Sequence, residues 1–362
     1  MKIIGFESSC DETAVAIADV DENGTIVPLA SCVNSQIPLH RLYGGVVPEI
    51  AGRAHIEAIS PLTEEAFKEA GLTPADIDAV AVTANPGLIG ALLVGVNFAK
   101  AFAFAQNVPL VAVDHMKAHI AAAYVKFEGK EAPKPPFIAL AVSGGHTSLY
   151  LVSSYTDYKE IGATRDDAIG EAFDKVGRLL GLSYPAGADF DKLAQKGFAL
   201  ACGKDDPSFA DYKKTAQFRA PDLRFPSPAL SDGSLDFSFS GLKTAAVNLM
   251  HRFEQKGETI EKERFAAAYT YEAVEAVATH VKTALLSYEG YPLVVAGGVA
   301  ANSHLRKRLG EVTKALKRDL FIPPLSLCGD NALMVCAQGY YELQAGNLAG
   351  TDLNASASDS IM

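Results

Sequence analysis

Short apolar runs alternate with longer amphipathic stretches along the chain, and this pattern is typical of a mixed α/β protein. Residues 2–7, 13–20 and 25–33 are predicted as three consecutive strands, the last two joined by the turn DENG. The pattern then predicts a helix over about 49–70, a strand over 78–84, a helix over 88–106, a strand over 109–113 and a helix from His115.

The second half of the chain repeats this order. It predicts strands over 136–144, 147–154 and 158–164, then helices, a strand over 292–296, a helix over 300–318, a strand over 320–322 and a last helix after Gly329. The sequence therefore predicts a duplicated α/β domain whose halves face each other across a central cleft. We assign residues 1–134 to the N-terminal half, 135–345 to the C-terminal half with a polar, aperiodic insertion at about 200–236, and 346–362 to a flexible tail.

Composition narrows the class of protein. The chain has 362 residues, 49% of them hydrophobic, and its net charge of −11 argues against a strong nucleic-acid binder acting alone. Its best basic patch, residues 305–318, is interpreted first as a solvated helix face. Helix 88–106 is interrupted by Asn97 and Lys100, so we interpret it as a core helix rather than a membrane span. Five scattered cysteines and no signal-peptide pattern indicate a reduced, cytoplasmic protein.

Polar residues crowd the corner after the first strand of each half. The corner ESSCDE, residues 7–12, holds three acids, and alone it would be more typical of an acidic hairpin tip. Its counterpart is SGGHTS, residues 143–148, where Gly144 and Gly145 permit a ligand to approach the backbone and present N–H groups to an anion. The equivalent placement of the two corners predicts that a phosphate is held there.

Two histidines share one face of the helix that follows strand 109–113. His115 and His119 are four residues apart, and this spacing favours a metal pair over satisfied core histidines. The equivalent junction of the second half puts Asp330 at a helix start, where it would otherwise be a plain N-cap. A pseudo-twofold relation would bring Asp330 close to the histidines. Two imidazoles and one carboxylate with open positions predict a non-haem Fe(II) site, with Zn(II) as competitor.

Two further segments carry candidate nucleotide contacts. In YPLVVAGGVAANSHLR a strand runs through two glycines to a helix start, where Asn302 can bond to a nucleotide edge. Asp174 and Asp191 flank a Pro- and Gly-containing loop and suit ribose hydroxyls. On their own, the first segment would be a strand-to-helix turn without a ligand, and the two acids would be surface residues.

Seven motifs occur in the order found in the bacterial TsaD family, which the chain resembles over roughly residues 2–340. They are GFESSCDETAVAI, HRLYGGVVPEIAGRAH, HMKAHI, VSGGHTSLYLV, GEAFDKVGRLLGLSYP, AGGVAANSHLR and GDNALMVCAQG. The resemblance implies the duplicated actin-like ATPase (ribonuclease H-like) fold. It also implies a tRNA N6-adenosine threonylcarbamoyltransferase. Such an enzyme moves threonylcarbamoyl from threonylcarbamoyl-AMP to the adenosine 3′ of the anticodon, position 37, in tRNAs reading codons that begin with A, and releases AMP.

The resemblance further implies roles for individual residues. The family's metal ligands are matched by His115, His119 and Asp330. Its substrate contacts are matched by Val142, Ser143, Gly144, Gly145, His146, Asp174, Gly187, Asp191 and Asn302. It also implies one Fe²⁺ per subunit and the proteins TsaB and TsaE as partners, with the helix after YGGVVPE as a candidate docking surface.

Two departures from the family pattern lie beside these residues. The family usually has Glu-Gly between the histidines, where this chain has Lys117 and Ala118, and the charge of Lys117 bears on metal affinity and preference. The family usually has Tyr-Pro-Gly-Gly-Pro where this chain has YPAGAD, so Ala186 and Ala188 replace Gly and Pro. Neither change removes a matched ligand. The insertion has no family counterpart that we can assign.

Two other functions fit parts of the pattern. A sugar kinase or ATPase of the same fold would share the phosphate-binding corner, but phosphoryl transfer normally uses hydrated Mg²⁺ held by carboxylates. A zinc peptidase, suggested by the family's older name of glycoprotease, would need the water-activating Glu that HMKAH lacks. The transferase is therefore the leading hypothesis, although no residue stands out as nucleophile or general base.

Overall fold

Two compact α/β units make up the chain. The structure is a computed structural model, and it describes residues 1–127, 131–228, 230 and 232–358. Unit 1 comprises Met1–Pro136, Val152–Tyr158 and the chain from Pro323 onward. Unit 2 comprises Phe137–Leu151 and Lys159–Ile322.

The described residues form the strands that the alternating pattern predicts and its longer helices, together with three short helices, Ile37–Arg41, Phe209–Lys213 and Ala216–Arg219, that it does not predict. The strands are β1 (Lys2–Glu7), β2 (Glu12–Val20), β3 (Ile26–Ser35), β4 (Ala79–Asn85), β5 (Leu110–Asp114), β6 (Phe137–Val142), β7 (Thr147–Val152), β8 (Tyr158–Ala163), β9 (Leu293–Ala296) and β10 (Leu320–Phe321). The helices are α1 (Ile37–Arg41), α2 (Pro48–Ala70), α3 (Ile89–Gln106), α4 (His115–Ala121), α5 (Ile169–Leu179), α6 (Gly187–Cys202), α7 (Phe209–Lys213), α8 (Ala216–Arg219), α9 (Ser240–Lys256), α10 (Lys262–Ser287), α11 (Ser303–Leu316) and α12 (Ala332–Gln344).

Each unit is built around one five-stranded sheet, and the two sheets have equivalent strand orders. The orders are β3-β2-β1-β4-β5 in unit 1 and β8-β7-β6-β9-β10 in unit 2. In unit 1 the first three strands pair antiparallel, while β4 and β5 continue the sheet parallel to β1. In unit 2, β6, β9 and β10 likewise pair in parallel. This repeated order confirms the predicted duplicated α/β fold.

The central strands of unit 1 are apolar along their length because helices cover both faces of the sheet. Ile4 and Phe6 of β1 belong to a core cluster that includes residues of α2 and α3. On the other face, α12 packs against β1 and β2. Gly5 permits this approach, because a Cβ there would lie 2.6 Å from the carbonyl oxygen of Ala332 in α12. Double coverage explains why these strands read as continuous apolar runs rather than alternating ones.

Helix α3 is the one helix of the described residues with the length and hydropathy of a membrane span. Its residues Val96, Ala99 and Ala103 belong to the core cluster of unit 1. The helix packs against α2 and β4. These contacts agree with the core helix that the sequence predicts.

The last helix belongs to unit 1, although the sequence-based boundaries placed it in the C-terminal half over 135–345. Most of its side chains are apolar and buried, because it packs on β1, β2 and α4. The tail predicted over 346–362 also differs, because residues 346–358 lie along unit 1. Leu353 accepts a hydrogen bond from Lys100 (2.9 Å), and Ser356 N donates to Ala84 O (2.9 Å). Residues 359–362 lie outside the described residues.

The insertion at 200–236 contains two short helices, α7 and α8, which its irregular pattern did not predict. Aromatic contacts attach it to unit 2. Phe209 lies 5.3 Å from Phe198 of α6 between ring centroids, and Tyr212 lies 5.6 Å from Tyr271 of α10. Helices this short show no periodicity, so packing of single aromatic residues defines them instead. Residues 229 and 231 of the insertion lie outside the described residues.

We expect Gly5→Ala to destabilise unit 1. The new Cβ would lie 2.6 Å from the Ala332 carbonyl oxygen and 2.7 Å from the sulfur of Cys336, and the backbone oxygen cannot move without displacing α12. Such overpacking should lower the free energy of unfolding by about 1–3 kcal/mol in denaturant titrations. The matched control is Gly90→Ala in α3, where a Cβ meets no atom within 4 Å of the described structure. That control should stay within about 0.5 kcal/mol of the parent, and equal stability of both variants would contradict the close packing of α12.

Candidate functional site

The histidine pair lies in α4, directly after β5. Asp114 caps this helix, since its Oδ1 accepts hydrogen bonds from Met116 N (2.8 Å) and Lys117 N (3.0 Å). The first turn is thereby fixed, and His115 and His119 face the same side with their ring centroids 4.5 Å apart. Both side chains are buried.

Asp330 completes a three-residue group in unit 1. It stands two residues before α12, which packs against α4. Its Oδ1 lies 3.2 Å from Nε2 of His119 and 3.7 Å from Nε2 of His115. One ligand atom from each residue lies within 4.8 Å of the other two. The structure therefore brings together the three residues that the sequence singled out as metal ligands, and it does so inside one unit, because α12 packs there.

The chemistry of this group fits a metal ion. Both ring nitrogens of His119 are buried and have no hydrogen-bond partner among the described residues. Nε2 of His119 is close to Asp330 but is not aligned for a hydrogen bond. An unsatisfied buried polar group costs about 1–3 kcal/mol, which a bound cation would offset by using the nitrogen lone pair. Two imidazole nitrogens and a carboxylate oxygen suit a first-row transition metal.

A buried carboxylate, Glu7, orients His115. Its Oε2 lies 3.1 Å from Nδ1 of His115 and accepts a hydrogen bond from Thr83 Oγ1 at 2.6 Å. Its Oε1 accepts a hydrogen bond from Ser9 N at 2.6 Å. Because the carboxylate can only accept, Nδ1 of His115 carries a proton, and Nε2 is the ring nitrogen on the side of Asp330.

The acidic corner shifts the pKa values around the histidines. Burial alone would lower the pKa of His115, but the charges of Glu7 and Asp330 raise it to about 9. Burial would raise the pKa of Glu7, but the charge and hydrogen bond of His115 hold it below its ordinary value. Burial and the charges of Asp330 and Asp11 raise the pKa of Glu12 to about 9. Besides burial, the crowding of carboxyl groups at this corner thus raises the pKa of Glu12, and a bound cation would relieve their repulsion.

Lys117, which stands between the two histidines in sequence, is directed to another part of unit 1. Its Nζ donates to Thr156 O at 3.2 Å, lies 3.9 Å from Oε1 of Glu342 and sits 5.3 Å from the ring centroid of Tyr158. Glu342 therefore balances the charge. This departure from the family pattern leaves the ligand atoms of the histidines in place.

In unit 2, the loop after β6 lies against the start of α5. The loop is closed by hydrogen bonds from Ser143 N to His146 O (2.9 Å) and from His146 N to Ser143 Oγ (3.1 Å). A Cβ at Gly170 would lie 2.4 Å from the carbonyl oxygen of Ser143, so the helix start touches the loop. At Gly144 and Gly145, by contrast, a Cβ would meet no atom within 4 Å of the described structure. Packing within the chain therefore does not explain these two glycines.

Asp174 connects α5 to the start of α6. Its Oδ1 accepts hydrogen bonds from Ala186 N (2.7 Å) and Gly187 N (3.0 Å). Burial raises the pKa of Asp174 even though both hydrogen bonds favour the ionised form. The carboxylate therefore has a structural role that the sequence did not indicate, and Ala186 fits in the position where the family usually has glycine.

Asp191 and Asn302 meet at the start of α11. Asp191 Oδ2 accepts from Ser303 N at 3.1 Å, and its Oδ1 lies 2.8 Å from Nδ1 of His304. Asn302 is the N-cap, and its Oδ1 accepts from Leu305 N at 2.9 Å. Burial would raise the pKa of Asp191, but its bonds to His304 and Ser303 hold it below the ordinary value.

The residues predicted as substrate contacts thus form a series of neighbours within unit 2. Val142 ends β6, and a Cβ at Gly297, where φ is +92°, would lie 2.3 Å from the Val142 carbonyl oxygen. The series continues from the loop Ser143–His146 through α5 and the start of α6 to Asn302. The residues predicted as metal ligands all lie in unit 1.

The basic residues of α11 are largely engaged within unit 2. Arg308 forms ion pairs with Glu275 (2.6 Å) and Glu311 (3.2 Å), and Lys307 pairs with Asp206. This agrees with the interpretation of residues 305–318 as a helix face rather than a binding patch.

Two contacts at these sites were not predicted. The sequence places Glu7 only in an acidic corner, and it gives His304 no role beyond its place in the motif AGGVAANSHLR. The parallel order of β1, β4 and β5 could have revealed the first, because it places the end of β1 near the end of β5. The second depends on a contact between α6 and α11, for which the sequence carries no signal.

The duplicated sheet order and the buried His-His-Asp group define a protein of the actin-like ATPase fold with a candidate metal group in one unit. A family model described as TsaD, tRNA N6-adenosine threonylcarbamoyltransferase, matches residues 28–337. A protein of that name from Streptococcus pneumoniae (strain JJA) is 46% identical over 356 residues, which cover 98% of this chain and 96% of that protein. A relative of the same name from Streptococcus pneumoniae serotype 4 gives the same figures. The chain belongs to the TsaD family.

The fold likeness extends to a solved structure of low sequence identity. Full-length HypF in the phosphate- and nucleotide-bound form has a TM-score of 0.52 and 14% identity, covering 99% of this chain and 47% of that one. This likeness shows the fold alone.

We expect Glu7→Gln to destabilise the metal-free chain. Ser9 N and the Thr83 hydroxyl each donate a hydrogen bond to one oxygen of the Glu7 carboxylate. The side-chain amide of Gln has only one oxygen, so its N–H₂ group would face one of these two donors. The mismatch should lower the free energy of unfolding by about 1–3 kcal/mol, measured in denaturant with a chelator present. The exposed Glu49→Gln in α2 serves as the control and should change stability little. If Glu7→Gln unfolds like that control, the buried carboxylate does not hold the strand ends as described.

Proposed function

We propose that this chain transfers threonylcarbamoyl from threonylcarbamoyl-AMP to N6 of adenosine 37 in tRNAs that read codons beginning with A. Family membership across nearly the whole chain supports the transferase and sets aside the kinase and peptidase alternatives. The observation that carries the proposal is that the chain retains the complete His-His-Asp group, with its ligand atoms within 4.8 Å of one another.

The reaction is an acyl transfer. The adenosine amine attacks the carbonyl carbon of the threonylcarbamoyl group, the bond from this carbon to the phosphate oxygen breaks, and AMP leaves while the amine loses a proton. AMP is a good leaving group, so positioning and charge stabilisation by the chain can supply much of the rate. We assign no side chain as nucleophile or as acceptor of the proton.

We assign the nucleotide contacts to unit 2. The backbone of Ser143–His146 is the candidate phosphate site, because its two glycines have free space beside them and an ordinary backbone conformation. Asp174 and Asp191 are the candidate ribose contacts, with Gly187 and Asn302 beside them. Each carboxylate is already oriented by two hydrogen bonds from the chain, which prepares it to accept further ones.

We assign the metal to His115, His119 and Asp330, with one Fe²⁺ per subunit and Zn²⁺ as its competitor. When bound, such an ion supplies a Lewis-acidic anchor for oxygen groups of a substrate. Glu7 holds His115 through Nδ1, so that Nε2 is directed to the ligand position. The absence of a Glu in the sequence HMKAH leaves no water-activating base beside His115 in α4, which favours anchoring over hydrolysis.

We further propose that activity in the cytoplasm depends on TsaB and TsaE. The net charge of −11 and the paired basic residues of α11 leave little electrostatic attraction for tRNA. The start of α2 and the loop before it expose apolar side chains, with Leu42 80%, Tyr43 60% and Ile56 65% exposed. Apolar side chains exposed in this number mark a candidate docking surface for a protein partner.

His119→Ala tests the division of roles. It should remove the bound metal, as read by metal analysis after dialysis, and abolish transfer to tRNA in the presence of the partner proteins. AMP affinity by calorimetry should stay within about threefold of the parent, because the assigned nucleotide contacts all lie in unit 2. His251→Ala, at an exposed position on α9, is the matched control and should retain metal, AMP affinity and transfer. Loss of AMP binding along with the metal would contradict the separate assignments.

A further inference from the structure

We propose that His304 is a positioning residue for Asp191, and that the insertion at 200–236 holds His304 in place. The inference rests on the proposed contact between Asp191 and the nucleotide. This inference assigns a role to His304 and to the insertion, neither of which has a role in the proposed function.

The first step is the contact between the two side chains. Nδ1 of His304 lies 2.8 Å from Oδ1 of Asp191, while Oδ2 of the same carboxylate accepts a hydrogen bond from Ser303 N at 3.1 Å. Both oxygens are therefore held, one by a side chain and one by the backbone at the start of α11. Each oxygen has a second lone pair and can accept a ribose hydroxyl in a fixed direction. Without His304, the carboxylate would be held by Ser303 alone.

The second step is what holds His304. Its ring lies against Phe198 of α6, with centroids 4.6 Å apart, and against Phe209 of α7, with centroids 6.4 Å apart and planes inclined by 28°. Phe198 and Phe209 are 1% and 4% exposed, and the side chain of His304 is 10% exposed. Buried aromatic neighbours restrict the ring, so Nδ1 stays directed at Asp191.

The third step is that Phe209 comes from the insertion. The insertion fixes this residue at the start of α7, where Ser208 and Asp211 form reciprocal capping bonds; Ser208 N donates to Asp211 Oδ2 at 2.9 Å and Asp211 N to Ser208 Oγ at 3.1 Å. Lys307, one turn after Ser303 on α11, also pairs with Asp206 of the insertion. Asp206 is 88% exposed, so this ion pair contributes little and the aromatic contact is the main link.

A double-mutant cycle on the full-length, metal-loaded chain tests the inference, with AMP affinity measured by calorimetry. His304→Leu should raise the dissociation constant for AMP roughly tenfold. This factor corresponds to the lower end of the free energies found for a hydrogen bond to a charged group. His304→Asn places an amide nitrogen near the position of Nδ1 and should restore most of that affinity. In the Asp191→Asn background, His304→Leu should have little further effect, because the histidine acts through the carboxylate. Phe209→Ala should weaken AMP binding in the parent and leave the His304→Leu variant unchanged.

Leu309→Ala separates positioning from stability. Leu309 is a fully buried residue of α11, so its truncation should lower the melting temperature without changing AMP affinity. If His304→Leu lowers affinity no more than Leu309→Ala does, while Asp191→Asn weakens AMP binding, the positioning role is wrong and the proposed nucleotide contact stands. If Asp191→Asn leaves AMP affinity unchanged, the proposed contact itself fails, and the inference fails with it. If His304→Leu does not fold, the test rests on His304→Asn. Parent-like AMP affinity of His304→Asn supports the positioning role, and AMP affinity lower than that of Leu309→Ala overturns it.

Discussion

A single buried carboxylate joins the ends of three parallel strands in unit 1. Glu7 is the last residue of β1, and its carboxylate accepts a hydrogen bond from Thr83 near the end of β4. Its Oε2 also lies 3.1 Å from Nδ1 of His115, the residue that follows β5. Parallel strands end at the same edge of a sheet, so these three residues meet although they are far apart in sequence. The position of His115, and with it the whole His-His-Asp group, depends on this convergence.

Helix α12 supplies the remaining part of that group. It packs on the sheet through Gly5 and Gly339, where a Cβ would lie within 2.6 Å and 2.4 Å of neighbouring atoms. This close packing sets the start of the helix beside α4 and carries Asp330 to the histidines. Unit 2 uses helix starts in a different way. There Asp174 links α5 to the start of α6 by accepting a backbone hydrogen bond from Gly187, and Asp191 links α6 to the start of α11 by accepting one from Ser303.

Much of this was predictable from the sequence, because periodicity and duplication are local signals repeated along the chain. The order of strands and helices along the chain in both units followed from the repeated pattern, and the spacing of His115 and His119 predicted a shared helix face. The contact of Asp330 was predicted from a twofold relation, whereas in the structure it follows from the packing of α12 in unit 1. The order in the tail up to residue 358 and the aromatic anchoring of the insertion depend on contacts between distant segments. Local pattern carries no information about such contacts.

The most direct test of the account is the product balance of the purified chain, loaded with Fe²⁺ and combined with its proposed partners. Threonylcarbamoyl-AMP and a tRNA with adenosine at position 37 would be supplied, and modified nucleoside and AMP would be counted by mass spectrometry. The account predicts that one threonylcarbamoyladenosine forms for each AMP released, with no product on a tRNA that carries guanosine at that position. AMP release without modification of the tRNA would show hydrolysis in place of transfer and would contradict the assignment.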